Sequence, residues 1–172
     1  MNCDCMEWMK DKPDNYYDLA IVDPPYGIGQ SGGAFRDRKG RGNHRVHIKK
    51  QWDNETPTEL YFIELQRVAL HQIVWGGNYF TDKLPASRCW LYWDKLMGGD
   101  FSDGELAWTS FDAVLKKFTK CNKMHGKTHP TEKPQPGNYG LPIHEEYCTS
   151  HHNREHRPYI YPDCTNPFSF RP

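Results

Sequence analysis

Four consecutive residues, Asp23-Pro24-Pro25-Tyr26, combine an acceptor carboxylate, a rigid turn and an aromatic ring. Asp23 can accept a hydrogen bond from an amino group, and the carbonyl of Pro24 can accept a second. Two fixed acceptors suit an exocyclic amino group, and Tyr26 offers a ring on which an extruded base can stack. Electron density drawn toward the amino nitrogen lets it attack an electrophilic methyl group directly. This chemistry needs no covalent enzyme intermediate and therefore no catalytic cysteine.

The four residues follow a short apolar run, Leu19 to Val22, which contains two β-branched residues. A run of this kind predicts a buried strand. The strand must end at Pro24, because proline has no N–H to donate to a neighbouring strand. Asp23 and Tyr26 are therefore expected at the carboxyl end of a strand, and in open α/β sheets ligands bind at that edge.

Further elements are predicted along the chain. A helix is expected over residues 57–70, with Thr56 as its candidate N-cap and Pro57 in its first turn. The strands predicted after it are residues 73–75, 89–94, 105–111 and 113–118. The second of these consists of bulky residues and should be buried on both faces. The last two are expected to be a pair of strands or a hairpin.

This alternation of strands and helices predicts an α/β fold with a doubly wound sheet. The loops that follow residues 22, 75 and 93 should then converge on one rim of the sheet. Trp93, Trp108 and Phe111 are assigned to the core in preference to base stacking.

The motif Asp23-Pro24-Pro25-Tyr26 resembles the catalytic motif of amino-group DNA methyltransferases, which make N6-methyladenine or N4-methylcytosine. Taken alone, the four residues are equally typical of a turn that closes a strand. In one branch of this family the catalytic half of the sequence precedes the cofactor-binding half. This chain resembles that branch over several further sequence blocks, which occur in the same order. These blocks are Asn2–Glu7, Leu19–Gly27, Trp75–Phe80, Trp90–Lys95, Phe101–Phe111 and His129–Pro134. The resemblance covers residues 1–134 and implies part of a Rossmann-like methyltransferase sheet.

The resemblance also implies roles for individual residues. Asp23, Pro24, Pro25 and Tyr26 would be catalytic, with S-adenosylmethionine as the methyl donor and DNA as the substrate. Asp4 and Lys133 would contact the cofactor, with Asp4 near its adenosine part. Asp4 can instead be the N-cap of a short helix. An Asp at the first motif position favours N6 of adenine, as a tendency of the family, and N4 of cytosine stays open.

Residues 27–50 form a glycine-rich, basic loop directly after the motif. The chain has equal numbers of acidic and basic residues, so its net charge gives no general attraction to nucleic acid. The loop is the one marked local excess of positive charge, and it is predicted to contact the phosphates of double-stranded DNA. The alternative is a solvated loop. The residues assigned to DNA are Arg36, Arg38, Lys39, Arg41 and Arg45.

Residues 135–172 differ in composition from the catalytic half at 1–134. They hold three Leu, Ile or Val residues and six of the thirteen prolines, so they are expected to form an irregular, poorly structured tail. The strand and glycine-rich turn that bind the cofactor in the family are missing. We therefore expect a chain truncated or frameshifted after residue 134, with a second chain as a possible source of the cofactor half. An inactive remnant or a nucleic-acid-binding module is the alternative function.

Cysteine and histidine in the tail include a Cys-x2-His-His-x3-His run from Cys148 to His156, but its spacing matches no familiar zinc site, so no metal is expected. The amino end has no apolar leader, and no stretch approaches the ~20 apolar residues of a membrane span. A cytoplasmic protein with its six cysteines reduced is the expectation.

Overall fold

The computed structural model describes residues 4–29, 53–96 and 102–119, together with two short strands at 161–162 and 170–171. The first helix, α1, spans Cys5–Lys10. Asp4 caps it, because the N–H of Met6 donates to Asp4 Oδ1 at 2.7 Å and the start of a helix leaves such N–H groups without partners. The N-cap assignment for Asp4 is confirmed.

The second part of the fold is a strand–helix–strand unit. Strand β1, Tyr17–Val22, and strand β2, Ala69–Trp75, run parallel and are joined through helix α2, Glu59–Val68. The N-cap of α2 is Thr58 and not Thr56, and Thr58 makes no capping hydrogen bond through its side chain. The predicted helix end at residue 70 is also wrong. Ala69 already pairs with Tyr17, so sheet pairing overrides the helical pattern of the last two residues.

The remaining strands complete a five-stranded mixed sheet of order β1-β2-β4-β3-β5. Strand β3 is Trp90–Asp94, β4 is Gly104–Thr109 and β5 is Lys116–Thr119. Only β4 is antiparallel to its neighbours, so four of these strands share one direction. Of the two alternatives predicted for this region, two strands are confirmed. The hairpin is wrong, because β4 and β5 lie on opposite sides of β3 instead of pairing with each other.

The two faces of the sheet are covered differently. Both described helices pack on one face, where Met9, Phe62 and Val74 belong to one buried cluster. Leu19, Ile73 and Trp93 belong to a second cluster on the opposite face. Within the described ranges no helix covers that second face, so the fold is α/β with a mixed sheet, and the doubly wound arrangement is not seen there.

Side chains of β3 alternate in burial. Leu91 and Trp93 are buried, whereas Trp90, Tyr92 and Asp94 are half-buried, so the expectation of burial on both faces is wrong. The assignment of three aromatic residues to the core is confirmed. Trp93 and Trp108 are each 2% exposed, and Phe111 packs against the second cluster and stacks on the ring of His71.

The carboxyl ends of β1, β2 and β3 meet at one edge of the sheet, as expected. Val22 pairs with Val74, and Asp94 pairs with Gly104 at the start of β4. The N–H of Gly76, directly after β2, donates to the carbonyl of Leu106 at 2.8 Å and ties this edge together.

The tail contributes one feature to the described residues. Strand β6, Tyr161–Pro162, pairs antiparallel with β7, Phe170–Arg171. The rest of the tail prediction lies outside the described residues. None of the described helices has the length and apolar character needed to cross a membrane.

Candidate active site at the carboxyl edge of the sheet

Asp23 and Tyr26 lie together where β1 ends. The turn between Asp23 and Tyr26 is fixed by Pro24 and Pro25, which are both buried. Asp23 and Tyr26 are half-buried. The hydroxyl of Tyr26 donates to Asp23 Oδ1 at 2.5 Å. This is a short hydrogen bond of the kind expected between a hydroxyl and a carboxylate. The motif therefore forms one unit, in which the phenol orients the carboxylate.

The protonation state of Tyr26 follows from its surroundings. Burial raises the pKa of the phenol well above its usual range, and the negative charges of Asp23 and Glu105 and the hydrogen bond to Asp23 raise it further. The phenol is therefore neutral at physiological pH and acts as a hydrogen-bond donor. The phenol donates through its O–H and the carboxylate of Asp23 accepts, so the two side chains are complementary.

The ring of Tyr26 is stacked on the ring of Tyr79. Their centroids are 4.7 Å apart and their planes are 10° from parallel. Tyr79 ends the short 3-10 turn Gly77–Tyr79 that follows β2, and it is 42% exposed. One face of the Tyr26 ring, which is expected from the sequence to stack on a base, therefore lies against Tyr79. The sequence reasoning missed Tyr79, although its place after the end of a strand at this edge was a usable signal.

Gly76 allows this packing. It adopts a left-handed conformation with φ of 66°, and a Cβ atom there would lie 2.1 Å from Cε1 of Tyr26. No other residue type meets both conditions without displacing the ring. The glycine at the end of β2 therefore positions Tyr26 from one side, while the turn that it starts delivers Tyr79.

Asp53 holds the backbone of the loop after the motif. It is 4% exposed, and its Oδ1 accepts hydrogen bonds from the N–H groups of Tyr26 and Gly27 at 2.8 and 3.0 Å. Its carbonyl accepts a third from the N–H of Gly29 at 2.8 Å. Asp53 was not predicted from the sequence. Its hydrogen-bond partners lie 26 and 27 positions away along the chain, and no local sequence pattern indicates contacts over that separation.

Charged side chains line the same edge further along the sheet. Lys95 pairs with Glu105, and Lys117 Nζ lies 2.9 Å from Asp94 Oδ2. The hydrogen bond from Lys117 lowers the pKa of Asp94, and the same bond raises the pKa of Lys117. Both lysines are already neutralised by carboxylates of the chain. They are therefore weaker candidates for phosphate contacts than unpaired lysines would be.

Asp4 lies on the same side of the sheet as the motif. Cys5, at the start of α1, and Tyr61 belong to one buried cluster, and Tyr26 of the motif packs against that cluster. Asp4 is exposed, and no described residue is seen to bond to its second carboxylate oxygen. Its role as N-cap therefore leaves it an acceptor.

The other residues assigned from the sequence lie outside the described residues. They are the cofactor residue Lys133 and the DNA residues Arg36, Arg38, Lys39, Arg41 and Arg45. The Cys-His run of the tail lies outside them too. Within the described ranges there is no group of three or more His, Cys, Asp or Glu side chains that could hold a metal ion.

A cleft of about 700 Å³ lies at the opposite edge of the sheet, lined by Gln72, Ser87, Ser110 and other residues. Its charged groups, Arg88 and Asp112, form an exposed ion pair with each other. None of the described lining residues is a tyrosine that could donate to a carboxylate as Tyr26 does to Asp23. Its size alone does not make it the site of chemistry.

Comparison of the sequence with models of known protein families finds no matching family, and comparison with curated proteins finds no similar sequence. The fold defines the class: an α/β protein with a mixed five-stranded sheet. At the carboxyl edge of that sheet, a carboxylate, a phenol and a second aromatic ring are in contact.

Proposed function

We propose that the chain is the catalytic half of a Rossmann-like DNA methyltransferase that transfers a methyl group to the N6 amino group of adenine. The observation that carries the proposal is the contact between Asp23 and Tyr26 at the edge where three strands end. A carboxylate oriented by a phenol, beside exposed aromatic surface, fits an exocyclic amino group on a planar base. The two residues in this contact belong to the motif that resembles the catalytic motif of amino-group DNA methyltransferases.

Asp23 can hold the amino group without releasing Tyr26. A carboxylate has about four acceptor positions, so it can accept the phenol and an amino N–H at the same time. An amino group held in this way has its lone pair directed toward an incoming methyl group. The amino nitrogen must also lose a proton when it is methylated, and the carboxylate of Asp23, which holds the amino group, would accept it.

The methyl donor would be S-adenosylmethionine, whose sulfonium supplies an electrophilic methyl group. Of the two residues assigned to it, Asp4 fits, because an exposed carboxylate on the motif's side of the sheet can accept from hydroxyl groups of a ribose. Lys133 lies outside the described residues. The segment that binds the cofactor in the resembling branch is not recognisable in the sequence, so a second chain would supply it.

Double-stranded DNA is the proposed substrate, and the basic residues between Arg36 and Arg45 would neutralise its phosphates. An amino group inside a duplex cannot reach Asp23, so the target base must leave the stack. Stacking on an aromatic side chain contributes ~1–3 kcal/mol per base and offsets part of that cost. The stacking surface would be the ring of Tyr26, against which the base would replace Tyr79.

The product of the reaction tests the proposal. The purified chain is incubated with unmethylated duplex DNA and labelled S-adenosylmethionine, first alone and then with a chain that supplies the cofactor half. The DNA is then digested to nucleosides. Labelled N6-methyladenine is the expected product in at least one arm. Labelled N4-methylcytosine would show that the methylated base is cytosine and not adenine. DNA binding without any label in either arm would support the binding module instead.

A further inference from the structure

We infer that Asp53 is a positioning residue, whose carboxylate fixes the backbone of Tyr26 so that its phenol meets Asp23. The role in methyl transfer rests on the proposed function. The observation is a buried side chain whose Oδ1 accepts the N–H groups of two successive residues, Tyr26 and Gly27. Asp53 touches no reacting atom, so it acts through Tyr26.

The geometry at Gly27 explains why two N–H groups converge on one oxygen. Gly27 has φ of 72°, and successive N–H groups in such a turn form a concave site for an anion. In many proteins a site of this kind takes a phosphate. Here the chain supplies its own anion, the Asp53 carboxylate, so these N–H groups hold the loop and are not available to a substrate.

Two further contacts show that the segment after Asp53 is packed against the loop. The carbonyl of Asp53 accepts the N–H of Gly29 at 2.8 Å. A Cβ atom on Gly27 would lie 3.2 Å from Cγ2 of Thr56, which is close contact. The residues from Asp53 to Thr56 thus support the loop from Tyr26 to Gly29 along its whole length.

The same segment reaches the turn that carries Tyr79. Lys83 Nζ donates to Oγ1 of Thr56 at 2.5 Å, and the N–H of Lys83 donates to the carbonyl of Phe80, the residue after Tyr79. Asp53 holds one of the two loops that meet in the Tyr26–Tyr79 stack, and Thr56 adjoins the other. Loss of the Asp53 carboxylate should therefore shift Tyr26 relative to both Asp23 and Tyr79.

Three variants test the inference. Asp53→Ala removes the acceptor, whereas Asp53→Asn keeps a carbonyl oxygen that can accept both N–H groups. Thr109→Val is the matched control, because Thr109 is also buried and donates through Oγ1 to the carbonyl of Cys89, away from the motif. Thermal unfolding shows whether Asp53→Ala and Thr109→Val lose comparable stability.

Hydrogen exchange at the amides of Tyr26 and Gly27 is the first readout, and it does not depend on methyl transfer. Exchange at both amides should accelerate in Asp53→Ala, stay slow in Thr109→Val, and be largely restored in Asp53→Asn. Unchanged exchange in Asp53→Ala would overturn the inference, even if the wild-type chain transferred no methyl group. Failure of the proposed function would instead appear as absent transfer with accelerated exchange.

The second readout compares the effect of each variant on kcat with its effect on KM. Both are measured in the assembly that transfers the methyl group. Misplacement of a reacting group by about 1 Å can cost on the order of a hundredfold in rate. We expect kcat of Asp53→Ala to fall by about that factor with KM for the methyl donor unchanged, and Asp53→Asn to recover most of it. An equal fall of kcat in Thr109→Val, or no recovery in Asp53→Asn, would show a merely structural role.

Discussion

At the scale of single residues, the account depends on how Tyr26 is used. Its hydroxyl is bonded to Asp23, and its ring is stacked on Tyr79. An aromatic pair contributes ~0.5–1.5 kcal/mol beyond the area it buries, whereas a base stacked on an aromatic side chain contributes ~1–3 kcal/mol. On the proposed function, a base would therefore replace Tyr79 against Tyr26 at little net cost, and Tyr79, which is 42% exposed, lies at the surface.

This exchange gives opposite predictions for the two tyrosines. Tyr26→Ala should weaken productive base binding by roughly 1–3 kcal/mol, because the stacking surface is lost. Tyr79→Ala should strengthen it by up to ~1.5 kcal/mol, because the competing ring is lost. The measurement is the fluorescence of DNA that carries 2-aminopurine at the methylated position, titrated with each variant. Tyr79→Phe keeps the ring and serves as control. Weaker binding by Tyr79→Ala would show that Tyr79 itself is a platform for the base.

The sequence predicted residues of this site unevenly. Asp23 and Tyr26 are three positions apart and form a recognisable motif, so their place after the end of β1 was predicted from local information, whereas the hydrogen bond between them was not predicted. Tyr79 and Asp53 reach the motif from positions far along the chain, through the parallel pairing of β1 with β2 and through a hydrogen bond across 27 positions. The spacing of residue types along the sequence does not predict contacts of that kind.

At the scale of elements, β1 and β2 are each followed by a residue that forces a turn. Pro24 ends β1, and Gly76 ends β2 in a left-handed conformation. The predicted starts of β1 and β2 were too late, by two and four residues. The error arose because pairing between the two strands extends them beyond their apolar runs, whereas their ends are set by local backbone chemistry that the sequence displays.

The turn after β2 gives a prediction about stability. Gly76→Ala should lower the free energy of unfolding by more than ~1–2 kcal/mol, the cost of a left-handed alanine, because the new Cβ also collides with the Tyr26 ring. Gly29→Ala is the matched control, since Gly29 has φ of 67° but no atom lies within 4 Å of its added Cβ. Denaturant unfolding of both variants separates the collision from the backbone cost. Equal losses would show that the packing of Gly76 on Tyr26 contributes nothing.

At the scale of the whole molecule, sequence reasoning gave the class of fold but not the order of the sheet. The apolar runs and the intervening helix predict α/β, and the parallel crossover between β1 and β2 follows from the helix between them. The place of β4 between β2 and β3 does not follow, because chain neighbours are usually also neighbours in a sheet and here β3 is displaced. The convergence of three strand ends was nevertheless predicted, because it depends on strand direction and not on strand order.

The second face of the sheet bears on the doubly wound prediction. Leu19, Ile73 and Trp93 are buried there, and both described helices lie on the other face. A Rossmann-like methyltransferase sheet has helices on both faces, so the proposed function implies a further covering layer.

The most direct test of the central claim is the rate of methyl transfer by Asp23→Ala. Because Asp23 is half-buried after the end of β1, the variant should fold and keep the unfolding transition of the wild type. Loss of a group that orients the amine and takes its proton should lower kcat by about 10²–10⁴-fold. Asp94→Ala is the matched control, because Asp94 ends β3 at the same edge and pairs with Lys117, and it should keep the wild-type rate. Unchanged turnover by a folded Asp23→Ala would contradict the account.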